Sequence, residues 1–100
     1  MELKFKPERL TIIRRLKGIT TADIERKMRE IGGYQNKLNI DRWEGSHCLP
    51  NSFEKVELLA KATEVPIGFY YYNNVQVEMK DLKVEILIVD TGERVNFNFL

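Results

Sequence analysis

The spacing of apolar residues changes once along this chain, near Asn74, and that change limits the fold more than any other feature of the sequence. Before it, apolar residues recur at intervals of three and four, the period of an amphipathic helix. After it they alternate, the period of a half-buried strand. A helical segment is therefore expected first and a small antiparallel sheet second.

The helical part divides at its caps. "PERLTIIRRLKG" opens on Pro7, carries Leu10, Ile13 and Leu16 at helical spacing and stops at Gly18. "TTADIERKMREIG" begins with Thr20 as N-cap and Asp23 three residues on, and Ile24, Met28 and Ile31 form its apolar face. Gly32 and Gly33 end it. A third, short helix is expected from about Asn36 to Glu44, with Leu38, Ile40 and Trp43 as apolar members. Before "SFEKVELLAKA", Asn51 is read as N-cap, and Phe53, Val56, Leu59 and Ala60 share a face. "PIGFYYY", from Pro66, is read as a fifth helix whose Phe69 and Tyr70 seal the helical core.

Beyond Asn74, "VEILIVD", "TG" and "ERVNFNF" outline a β-hairpin, with "VQVEM" as a candidate third strand. With Thr91-Gly92 at the turn, Ile88 faces Val95, Ile86 faces Phe97 and Val84 faces Phe99. A four-residue loop, Asp90–Glu93, keeps the same register. Such an apolar face needs a cover, because an isolated hairpin is marginal in water. The cover is either the chain's own later helices or the same hairpin of a second copy.

Composition removes several function classes. The N-terminal "MELKFKPERL" lacks the apolar region of a signal peptide, and the longest charge-free run, "VPIGFYYYNNVQV", is too short and polar to span a bilayer. One cysteine, Cys48, beside one histidine, His47, cannot close a tetrahedral zinc site within one chain. No HExxH, P-loop or GxGxxG stretch occurs. A soluble, cytoplasmic, non-enzymatic protein without metal, cofactor or membrane partner is the expectation. The net charge of +1 hides an asymmetry: residues 1–50 carry 11 Lys/Arg against 7 Asp/Glu, and residues 51–100 carry 5 against 8. A polyanionic partner would meet the first half.

"RRLKGITTADIERKM … NIDRWEGSHCLPNSFEKVELLAKATEVPIGFYY" resembles the helix-turn-helix domain of the Cro and phage-repressor type over roughly residues 7–70. Gly18-Ile19-Thr20 matches the family's opening of its second helix, and Ile40-Asp41-Arg42-Trp43-Glu44 the end of its third. Pro50 follows Trp43 by the family's interval, and Leu59-Ala60 with Val65-Pro66 matches the fourth helix. Three features depart from the pattern. The interval from Ile24 to Trp43 is longer than the family's, Glu25 replaces a small residue, and Gly45-Ser46 stands where the family has a residue followed by Gly.

The resemblance implies a mostly α chain with a β appendage. A five-helix, lambda-repressor-like helix-turn-helix domain (1–72) would precede a β-hairpin or three-stranded antiparallel sheet (73–100). It also implies a sequence-specific, DNA-binding transcription regulator, a small repressor of phage, prophage or toxin–antitoxin type that reads a palindromic operator as a homodimer. Its third helix would enter the major groove. Base contacts would come from Gln35, Asn36, Lys37 and Asp41, and phosphate contacts from Thr20, Thr21, Arg14, Arg15, Lys17, Ser46 and His47. The dimer would form through Val84, Ile86, Ile88, Val95, Phe97 and Phe99. The alternative is a helix-turn-helix scaffold that binds a protein: an antitoxin, an antirepressor or an inhibitor. Asp41, the lengthened turn and the near-neutral charge favour it.

Overall fold

The structure, a computed structural model, describes residues 3–32 and 37–99. Four α-helices come first: α1 (Pro7–Lys17), α2 (Thr21–Ile31), α3 (Lys37–Glu44) and α4 (Phe53–Thr63). One 3₁₀ turn (Ile67–Tyr70) leads to the strands β1 (Val75–Lys80), β2 (Lys83–Ile88) and β3 (Glu93–Asn98). The strands form an antiparallel meander in the order β1-β2-β3.

The first two helices end where their caps dictate. Pro7 starts α1, and Gly18 closes it at a φ of 65°. At α2, Thr20 and Asp23 form a reciprocal capping box, the Thr20 hydroxyl accepting from Asp23 N–H and the Asp23 carboxylate from Thr20 N–H. The hydrogen bond from Thr20 N–H, with the Thr20 hydroxyl beside it, holds the Asp23 carboxyl below the usual carboxylate range. Gly32 ends α2 at a φ of 112°. Glu25, at the position where the family has a small residue, pairs with Arg29 one turn on. α4 starts one residue later than expected: Ser52, not Asn51, is the N-cap and accepts from Lys55 N–H at 3.3 Å.

The five-helix, mostly α expectation is not met. Among the described residues there are four α-helices, fewer than half of these residues are helical, and "PIGFYYY" forms only the 3₁₀ turn. Within the segment the Pro66 and Gly68 carbonyls accept from Phe69 and Tyr71 N–H three residues on, and the carbonyls that would carry a helix past Tyr72 are taken by other groups. Arg9 donates to the carbonyls of Phe69 at 2.8 Å and Asn73 at 3.1 Å, and Lys6 N–H donates to that of Tyr70 at 2.8 Å. A helix running on past Tyr72 would have to displace the partners of the Phe69 and Tyr70 carbonyls. Phe69 and Tyr70 are fully buried, and the Tyr70 hydroxyl shares a hydrogen bond of 2.7 Å with Thr63 Oγ1.

Helices and sheet share one core. Leu10, Ile13, Ile24, Met28, Ile40, Trp43 and Leu59 join Phe69, Tyr70, Val84, Ile86 and Ile88 in a single buried cluster. The apolar hairpin face assigned above to a second copy is thus covered by the chain itself. Val84, Ile86 and Ile88 are fully buried, and Phe97 and Phe99 pack at the edge of the core. Val95 is half-buried, opposite Ile86.

The register also differs. Val84 pairs with Phe97, Ile86 with Val95 and Ile88 with Glu93, two residues from the expected alignment. A shift of two keeps every side chain on its face, so apolar alternation cannot distinguish the two registers. The loop decides. It spans 89–92, with Gly92 at a φ of 76° donating to the Ile88 carbonyl at 2.8 Å.

Candidate nucleic-acid interface

α3 is held by its C-terminal half. Ile40 and Trp43 point into the core, Trp43 only 3% exposed, and Glu44 receives a bidentate pair from Arg14 with both contacts at 2.9 Å. The guanidinium holds the Glu44 carboxyl below the usual range. Beside this clamp lies an open depression of about 590 Å³, bordered by Arg15, Thr20, Thr21, Asp41 and the Arg14–Glu44 pair. The capping box leaves the N–H groups of Thr21 and Ala22, in the first turn of α2, without intrahelical acceptors. Such groups and a nearby arginine suit an anionic oxygen; Asp41 works against it.

The expected contact residues are divided by this geometry. Gln35 and Asn36 lie outside the described residues, as does the side chain of Lys37, whose backbone opens α3. Asp41 is half-buried at the rim of the depression. Arg15 and Thr20 are exposed, whereas Thr21 is buried. Ser46 and His47 are exposed in the turn after α3, where a second depression takes in Arg42, His47 and Cys48.

Two of the three cations expected to supply positive field on helix one are engaged inside the protein. Arg14 serves Glu44. Lys17, its side chain only 13% exposed, donates to the Thr63 carbonyl at 2.6 Å and lies 3.8 Å from the Glu64 carboxylate. Its ammonium also stands 4.7 Å from the centre of the Phe97 ring. Burial holds that ammonium below the usual lysine range. Arg14 thus ties α1 to α3, and Lys17 ties α1 to α4 and β3. The sequence carried a signal for this: Arg14 and Lys17 fall four and seven residues after Leu10, on the inward side of α1.

Ser46 takes a φ of 64°, at the position where the resembled family has glycine. A non-glycine residue there is strained. Ser46→Gly is expected to stabilise the fold by about 1 kcal/mol, roughly 4–8 °C in a chain of this size. A thermal melt checks it; an unchanged or lower midpoint would show that the serine hydroxyl compensates the strain.

Among the described residues no helix is long and apolar enough to cross a membrane. No family model, curated protein or solved structure matches this chain.

Proposed function

We propose that the chain is a sequence-specific double-stranded DNA-binding transcription regulator that presents α3 to the major groove and the N-terminus of α2 to the phosphate backbone. The observation that supports it most is the fixed placement of α3. Trp43 and the Arg14–Glu44 pair lock its C-terminal end, beside an open depression that combines the free N–H groups of α2 with the exposed Arg15. A helix anchored at one end and flanked by an anion-accepting helix terminus can hold a register on duplex DNA.

Fluorescence anisotropy with a duplex selected from a randomised library, and with an unselected duplex, tests the reading. Arg15→Ala is expected to weaken both and to lower the salt slope by about 1. Lys37→Ala is expected to weaken the selected duplex about tenfold and the unselected one much less. No enrichment from the library, together with no binding at low salt, would overturn it.

A protein-binding scaffold is the second reading. It is favoured by the internal use of Arg14 and Lys17. It is favoured also by an apolar groove of about 520 Å³ between Leu3, Phe53, Ile67, Tyr71 and Tyr72, where Phe53 is 58% exposed.

A further inference from the structure

We propose that the chain self-associates through the outer edge of β1, each copy adding its β1 antiparallel to the other's to make one continuous six-stranded sheet. This surface is not the hairpin face, which the chain covers itself, and the proposal stands whether or not the protein reads DNA.

The backbone fixes which groups are available. Asn74 accepts from Val89 N–H at 3.0 Å, one step beyond the Val75–Ile88 pair. In an antiparallel ladder this phase turns the backbone groups of Gln76, Glu78 and Lys80 toward β2 and those of Val75, Val77 and Met79 toward the open edge. The side chains of these same three residues lie on the core side of the sheet, opposite Ile88, Ile86 and Val84. Those partners are fully buried, yet Val77 is 42% and Met79 52% exposed. The core covers β2 and reaches Val75 at the start of β1, but not Val77 or Met79. Leu82, in the turn between β1 and β2, is 71% exposed and takes a φ of 66°, a conformation that disfavours so large a side chain. The other edge offers less: on β3, Phe97 and Phe99 already pack on the core and Lys17 sits over the Phe97 ring.

Self-complementarity selects the occupant and the register. A two-fold pairing that keeps both apolar faces on one side must match odd residues with odd and even with even. Of the two such registers with most overlap, one sets Glu78 directly against Glu78, which like charge disfavours. The other sets Val77 against Val77, Val75 against Met79, Gln76 against Glu78 and Asn74 against Lys80. It pairs every outward backbone group from Val75 to Met79, closes an apolar cluster on the core side, and gives Glu78 an amide and Lys80 an amide oxygen on the other side.

Val77→Pro separates pairing from folding. Val77 N–H points to the open edge, so proline costs the sheet no internal hydrogen bond and blocks addition of another strand. By sedimentation velocity at tens of micromolar, the full chain is expected as a dimer and Val77→Pro as a monomer with unchanged helical circular dichroism. A monomeric wild type, or a folded Val77→Pro that still dimerises, overturns the proposal. If Val77→Pro does not fold, single cysteines in a Cys48→Ser background decide. Val77→Cys is expected to form an intermolecular disulfide under mild oxidant faster than Asn96→Cys on the β3 edge. Equal or reversed rates overturn the proposal.

Discussion

Trp43→Ala is expected to destabilise the protein by about 3–5 kcal/mol, the cost of removing a fully buried large aromatic without a replacement. Trp43 is 3% exposed and belongs to the cluster that includes Ile40, Ile24 and Leu59. Against a typical domain stability of about 5–15 kcal/mol, that loss lowers the melting temperature by something on the order of 20 °C. Trp43 is the only tryptophan, so its fluorescence follows unfolding of the wild type, and far-ultraviolet circular dichroism must follow the variant. Trp43→Phe, which keeps an aromatic ring in the site, should lose less than half as much. A Trp43→Ala variant that melts with the wild type would place the indole outside the core and release α3 from the position on which the DNA-binding proposal depends. Stability and function part in one informative case: if Trp43→Phe keeps its melting temperature but loses affinity for a selected duplex, the exact seat of α3 matters beyond its being folded.

What could be read from the sequence followed how local each determinant is. The ends of α1 and α2 were legible because Pro7, Gly18, Thr20, Asp23 and Gly32 act within one turn of their own positions. The start of α4 was off by one because Asn51 and Ser52 are both good caps, and only the Lys55 N–H chooses between them. The missing fifth helix was invisible locally. The residues whose donors cap the Phe69 and Tyr70 carbonyls and stop a helix from running on, Arg9 and Lys6, lie 60 or more positions earlier in the chain. The hairpin face was legible and its register was not, since a period of two is unchanged by a shift of two. In the candidate site the same distinction holds. That Arg14 and Lys17 are cations is a fact of composition, but their partners Glu44 and Thr63 stand 30 and 46 residues away. A single sequence shows the charge and not the pairing.

Ile86→Asp is expected to abolish the folded state altogether, helices included. Ile86 is fully buried at the centre of β2, between Val77 and Val95, in the cluster that also holds Leu10, Ile13 and Tyr70. No cation lies among the buried residues of that cluster to receive a carboxylate. An unpaired buried charge costs at least several kcal/mol after relaxation, on top of the lost apolar contact. Together these approach or exceed the whole stability of an ordinary domain. The more telling comparison is Ile86→Ala, at about 2–5 kcal/mol. If helices and sheet are one cooperative unit, its helical circular dichroism and the fluorescence of Trp43 must fall together, at one lowered midpoint. If residues 73–100 were an appendage that the helices do not need, Ile86→Asp would leave the helical signal intact and only assembly would suffer. The two outcomes differ in sign for the same measurement. Burial of Val84, Ile86 and Ile88 against the helices requires the first, and it leaves the exposed edge of β1 as the part of the sheet free to meet a second chain.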